Sequence, residues 1–143
     1  MSIRIIFDEA LLEFNDDQRI YNGNPFTGVA YEEYPNGILK REITYKDGFE
    51  NGLCRDWYPS GQLKCEWNAL RGRAKGKLTK WHENGTIKAI SEHDFGLELK
   101  YQEWTSDGQL VTARQIDTNS NLYKNMIELD RRQRLLQDQS GLS

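Results

Sequence analysis

Histidine and cysteine are scarce in this sequence, two of each in 143 residues. Neither pair falls into a metal-ligand spacing, for there is no HExxH and no CxxC. No serine, cysteine or lysine stands in a recognisable nucleophile setting such as GxSxG. Two cysteines are too few for a disulfide framework. A basic excess is missing as well: the formal net charge is −3, which gives no electrostatic footprint for nucleic acid or an anionic bilayer. No apolar run approaches the length of a membrane-spanning helix, and Met1 to Glu9 lacks the basic-then-apolar layout of a signal peptide. These absences argue against an enzyme, a metalloprotein, a nucleic-acid binder and a membrane-spanning protein. The expectation is a cytoplasmic chain with no cofactor and no metal.

Glycine and aromatic residues are present, and they are periodic. Gly28, Gly52 and Gly76 recur every 24 residues, as do Gly48, Gly72 and Gly96. "YPNG", "YPSG", "HENG" and "SDG" form a second series, Trp57, Trp81 and Trp104 a third, and Leu39, Leu63, Ile87 and Leu110 a fourth. The last unit has lost one residue and its opening glycine, and "RIYNGNPFTG" upstream reads as a degenerate half-unit. Such regularity is the mark of a repeat array and takes precedence over any single motif. His82 then reads as a variant of the slot held by Tyr34 and Tyr58, and the glycines as turn residues rather than a phosphate cradle.

Each unit parses as a β-hairpin, with turn residues at its middle and glycine-containing links at its ends. A three-residue loop such as "PSG", with Gly61 left-handed, pairs Trp57 with Leu63, Arg55 with Cys65 and Leu53 with Trp67. The same rule pairs Trp81 with Ile87, Trp104 with Leu110 and Val29 with Ile43. That register gathers Leu53, Trp57, Leu63, Cys65, Trp67 and Ala69 on one side. It puts Cys54 on the side opposite Cys65, so the two are read as free thiols. The other side carries Glu32, Tyr34, Lys40, Glu42, Asp56, Tyr58, Lys64, Glu66, Lys80, His82, Lys88, Ile90, Tyr101 and Glu103. The predicted fold is mainly β: an antiparallel meander of repeated 24-residue hairpins, apolar on one face, with one C-terminal α-helix.

A single domain is expected. Residues 1–24 hold N-terminal strands and the half repeat, "IRIIF" and "LLEF" extending the sheet or covering its first edge. Residues 25–116 hold four hairpins, and residues 120–138 the helix. Ser120 is the expected N-cap, Gly141 lies past the end, and Leu122, Met126, Leu129 and Leu136 follow helical spacing. Such a helix caps the last hairpin, or it binds a partner or dimerises; the residues leave both open.

The units "GVAYEEYPNGILKREITYKDG", "GLCRDWYPSGQLKCEWNALRG" and "GKLTKWHENGTIKAISEHDFG", with "LKYQEWTSDGQLV" as a truncated fourth, resemble the MORN repeat in its bacterial variant form. The resemblance covers residues 19 to 113. It departs at Glu33, where the first unit lacks its Trp, at Ile90, where the third lacks its Glu, and at the missing glycine of the fourth. Short bacterial chains of this kind resemble antitoxins and immunity proteins. The resemblance thus implies a non-catalytic module that binds a protein, a cognate toxin domain, and occludes its active site. The contacts are expected on the polar side, at Glu32, Tyr34, Asp56, Tyr58, Lys80, His82 and Glu103, through hydrogen bonds and charge pairing. Reversing the charge of Asp56 and Glu32 is expected to weaken binding with the thermal midpoint unchanged. The alternative is a membrane-associated scaffold, for which Arg131, Arg132 and Arg134 offer a small basic stripe.

Overall fold

The computed structural model describes residues 3–7, 13–15 and 18–139. In chain order the strands are β1 (Ile3–Ile6), β2 (Glu13–Asn15), β3 (Gln18–Tyr21), β4 (Asn24–Pro25), β5 (Gly28–Glu33), β6 (Leu39–Lys46), β7 (Phe49–Trp57), β8 (Leu63–Leu70), β9 (Arg73–Trp81), β10 (Ile87–Asp94), β11 (Leu97–Trp104) and β12 (Leu110–Gln115), followed by the helix α1 (Asn121–Gln139). Strands β5 to β12 form an antiparallel meander, and β1 adds in parallel beside β5. The half repeat stays out of this sheet and makes a small one, β2-β3-β4. Leu11 and Leu12 lie outside the described residues.

Two kinds of turn alternate along the meander. At one edge, each hairpin closes through three residues. The Tyr58 N–H donates to the Gln62 carbonyl and the Gly61 N–H to the Tyr58 carbonyl, both at 2.9 Å, and Gly61 takes φ 90°. At the other edge two left-handed residues suffice: Asp47–Gly48, Arg71–Gly72 and Phe95–Gly96 all have positive φ, as do Asn22–Gly23 in the small sheet, as the tightest hairpin turns require.

The loop length agrees with the spacing, but the register beyond it does not. Trp57–Leu63, Trp81–Ile87 and Trp104–Leu110 pair as expected. One residue further on, each hairpin bulges at Lys40, Lys64, Lys88 or Val111. An extra residue there shifts every later pair by one. Arg55 therefore faces Glu66 rather than Cys65, Leu53 faces Asn68 rather than Trp67, and Val29 faces Thr44 rather than Ile43. Cys54 stands opposite Trp67, so it shares a face with Cys65 instead of opposing it. Both thiols are buried and free. As diagonal neighbours they stand about 7–8 Å apart, too wide for a disulfide.

The glycine series makes a second set of bulges. Between Ile43–Cys54 and Tyr45–Glu50 the strand β7 gains two residues at Gly52, and β9 gains two at Gly76. In the last unit β11 gains only one, which is where the sequence lacks a residue and its glycine.

The core follows from this register. Opposed pairs Ala30–Ile43 and Cys54–Trp67 lie side by side on one face, together with Tyr45 and Ala69. Phe26 closes over them, 2% exposed, its ring 5.7 Å from Tyr21 and 5.8 Å from Tyr45. Burying a side chain such as Phe26 or Ile43 contributes about 1.5–3 kcal/mol. The small sheet is fixed by the Asp47–Gly48 turn. Arg19 N–H donates to the Gly48 carbonyl and Gly48 N–H to the Phe26 carbonyl, each at 2.7 Å.

Candidate functional site

The bulges leave the sheet with two unlike faces. The core face carries Glu32, Arg41, Asp56, Cys65, Lys80, Ala89 and Glu103 as one row across the strands. Arg41 grips Asp56 through two bonds, at 2.7 and 3.2 Å, and that carboxylate raises the guanidinium's already high pKa. Lys40 lies 3.4 Å from Glu32. This row stands between the core and the three-residue turns, with Cys65 and Ala89 buried within it.

Along the turns themselves, Tyr34, Tyr58 and His82 succeed one another in equivalent positions. Tyr34 donates to the carbonyl of Trp57 and Tyr58 to that of Trp81, both at 2.7 Å. The ring Nε2 of His82 donates to Trp104 at 2.8 Å. Asn36 and Asn84 reach the neighbouring turns in the same way, through the carbonyls of Pro59 and Ser106. The bulged Lys40 and Lys64 extend over the Tyr34 and Tyr58 rings, with 5.7 and 5.4 Å from nitrogen to centroid.

Of the seven residues expected at the site, Glu32, Asp56, Lys80 and Glu103 are thus on one face, and Tyr34, Tyr58 and His82 stand at the adjoining turns. Their companions change. Glu42, Glu66 and Ile90 move to the opposite face because they follow a bulge, while Cys65, Trp67 and Ala69 come over to this one. Tyr34, Tyr58 and His82 already hold main-chain partners, and Asp56 holds Arg41. Glu32 meets Lys40 and Glu103 accepts the Tyr101 hydroxyl at 3.0 Å.

The opposite face carries Trp57, Leu63, Trp81, Ile87, Trp104 and Leu110 as an apolar ladder, with Ile87 and Leu110 exposed. Beside it run ion pairs, Arg4 with Glu42 at 2.5 Å and Arg55 with Glu66 at 2.7 Å. Sequence reasoning assigned these indoles to the core. The bulge after each three-residue turn, at Lys40, Lys64, Lys88 and Val111, divides the apolar set between the two faces.

The helix begins where expected: the Ser120 hydroxyl accepts the Tyr123 N–H at 3.2 Å. Gly141 lies outside the described residues. Tyr123 packs edge-on to Phe95, 6.4 Å between centroids, and Met126, Ile127 and Asp130 follow on the docking side. Leu122, Leu129 and Leu136 of the expected stripe are exposed instead, because the Phe95 contact sets the rotation of the helix. Arg131 and Arg132 lie near Glu128, and Arg134 near Asp130, so two carboxylates offset much of the basic stripe. Between helix and turns lies a cleft of about 560 Å³, lined by Arg71, Arg73, Lys75, Asp94, Phe95 and Arg134 among others. Burial alone would raise the Asp94 pKa, but bonds from Lys75 and the Phe95 N–H outweigh it and hold that carboxylate low.

Among the described residues, no helix is long and apolar enough to cross a membrane. The family described as MORN repeat variant matches residues 26–47 and 50–69. The chain is similar to the immunity protein YwqK of Bacillus subtilis (strain 168), at 52% identity over 108 residues, 76% of this chain and 70% of that protein. No solved structure matches it.

Proposed function

Because the chain belongs to the MORN repeat variant family, we propose that it is an immunity-type protein. It binds a cognate bacterial toxin domain in the cytoplasm and covers that domain's active site, with no chemistry of its own. The observation that carries this reading is the 52% identity to a protein named for immunity, sustained over 76% of the chain. The core face supports it physically. Glu32, Lys80 and Glu103 stand on a row stiffened by the Arg41–Asp56 pair, and the aromatic slots hold the turns in line. A rigid surface of alternating charge suits directional recognition, and complementary charge accelerates encounter.

The test is protection. Co-expression with the toxin domain rescues growth, and titration calorimetry gives a stable complex that the Glu32→Lys, Glu103→Lys double variant weakens about tenfold or more. Growth arrest despite co-expression, or an affinity untouched by the double variant, removes the reading or its surface respectively.

A further inference from the structure

Among the described residues the sheet ends at β12, and no strand pairs with its outer edge. The helix that follows turns away, back across the two-residue turns to the cleft beside Arg73 and Phe95. The open edge is not an arbitrary one. Strands β6, β8 and β10 occupy the same place in their units, and each receives the first strand of the next hairpin on the equivalent edge. β12 therefore has the geometry of an acceptor that lacks its next unit.

Three features set this edge apart from a guarded one. Edges are commonly protected by lysine, proline or an inward charge. The bulge slot holds Lys40, Lys64 and Lys88 in the interior of the array, yet Val111 at its end, where a lysine would guard. Val111 and its neighbour Leu110 are 56% and 58% exposed. The only charge on the strand, Arg114, is held back by two bonds to Glu98 at 2.9 and 3.0 Å and lies 3.9 Å over the Tyr101 ring. The forward links between units also stop here: the Thr105 hydroxyl, in the slot of Tyr34, Tyr58 and His82, turns back to Asp107 of its own loop.

The direction of the free backbone groups follows from the ladder. Ile116 N–H donates to the Leu99 carbonyl at 2.9 Å, and Arg114 and Thr112 pair in step with Tyr101 and Glu103. Antiparallel alternation then points the N–H and C=O of Ala113 and Gln115 outward. Groups with that spacing are satisfied by another extended chain.

We propose that the outer edge of β12 is a strand-acceptor site, at which an extended segment of the protein partner adds antiparallel to the sheet. This rests on reading the chain as a protein-binding module. The segment it fits alternates, with an apolar or aromatic side chain beside Leu110 and Val111, as Trp57, Trp81 and Trp104 supply within the array, and small or polar residues beside Thr112.

The test is amide hydrogen exchange at Ala113 and Gln115, with two probes. One is the peptide LELKYQEW, the β11 sequence that this protein itself lays against β10; the other is the toxin domain. Each is expected to slow exchange at both amides about tenfold or more. Ala113→Pro removes an outward N–H without touching the bonds to β11 and abolishes the slowing at Gln115; Val111→Lys, which restores the interior residue, weakens the slowing at both amides without disturbing the fold. Protection by neither probe overturns the proposal. A toxin complex that leaves both amides exchanging freely overturns it while sparing the proposed function; protection by the peptide without any toxin complex does the reverse. Protection that grows with the chain's own concentration assigns the edge to a second copy and also overturns it.

Discussion

The phenol of Tyr34 donates a 2.7 Å hydrogen bond to the main-chain carbonyl of Trp57, which belongs to the next hairpin. Tyr58 repeats the contact with Trp81, and His82 repeats it with Trp104. A ring placed just after the slot of Glu33, Trp57 and Trp81 in one unit thus fastens the main chain at the indole-bearing residue of the next. Tyr58→Phe keeps the ring beneath Lys64 but loses this bond, and is expected to cost about 1 kcal/mol in urea denaturation. Tyr31→Phe is the control, within about 0.5 kcal/mol of the parent.

Gly48 and Gly61 separate conformational strain from collision. Both have positive φ, 85° and 90°. A Cβ at Gly61 meets open space, whereas one at Gly48 lies 2.7 Å from the Arg19 carbonyl oxygen and strikes the Gln18 side chain. Gly61→Ala should cost about 1 kcal/mol, the backbone penalty alone. Gly48→Ala should exceed it by about 1–2 kcal/mol and loosen the small sheet, seen as faster amide exchange at Arg19.

Burial pushes the Cys54 thiol up to about 12 and the Cys65 thiol to about 11. Iodoacetamide at pH 8 should label both only slowly in the folded chain, at rates below a free thiol by a factor on the order of 10³ for Cys54 and 10² for Cys65. Both should label fully in urea, as mass spectrometry would show. Rapid native labelling would mean that the core face opens.

Asp56 is no longer suited to the test the sequence suggested. Reversal at this position sets a cation beside Arg41, which now holds the carboxylate at 2.7 Å. Asp56→Lys should cost about 1–2 kcal/mol, lowering the thermal midpoint, while Glu32→Lys should stay within about 0.5 kcal/mol. Paired calorimetric scans decide between them.

Burial raises the pKa of Glu50, though Arg41 and Arg19 pull it back in part. A carboxyl whose folded pKa lies above its unfolded value is bound to a proton more readily when folded. Its contribution therefore favours the fold below the unfolded pKa and is lost as pH rises through the folded one. Glu50→Gln should accordingly raise stability at pH 7 and lose that advantage near pH 4, measured by urea titrations at both pH values.

The repeat, the three-residue loops, the two turn edges and the helix start at Ser120 were all legible in the residues. Each depends on local chemistry: glycine where φ is positive, a hydroxyl where a helix begins. The common face of Glu32, Asp56, Lys80 and Glu103 was legible too, since these residues precede the turn and no bulge intervenes. The partners of the second strands were not. A bulge is a single unpaired residue, and Lys64 has no composition that distinguishes it from a lysine in regular pairing.

The sequence by itself determined that this protein is a row of β-hairpins with period 24, because turn glycines and alternating side chains act over a few residues. Only the tertiary structure decided which apolar residues are enclosed. Bulges after the three-residue turns place Cys54, Cys65 and Trp67 on one face and Phe26 over the resulting core, leaving Trp57, Trp81 and Trp104 on the other side. Burial is settled by what packs above the sheet, and pairing register carries one residue's displacement along an entire strand.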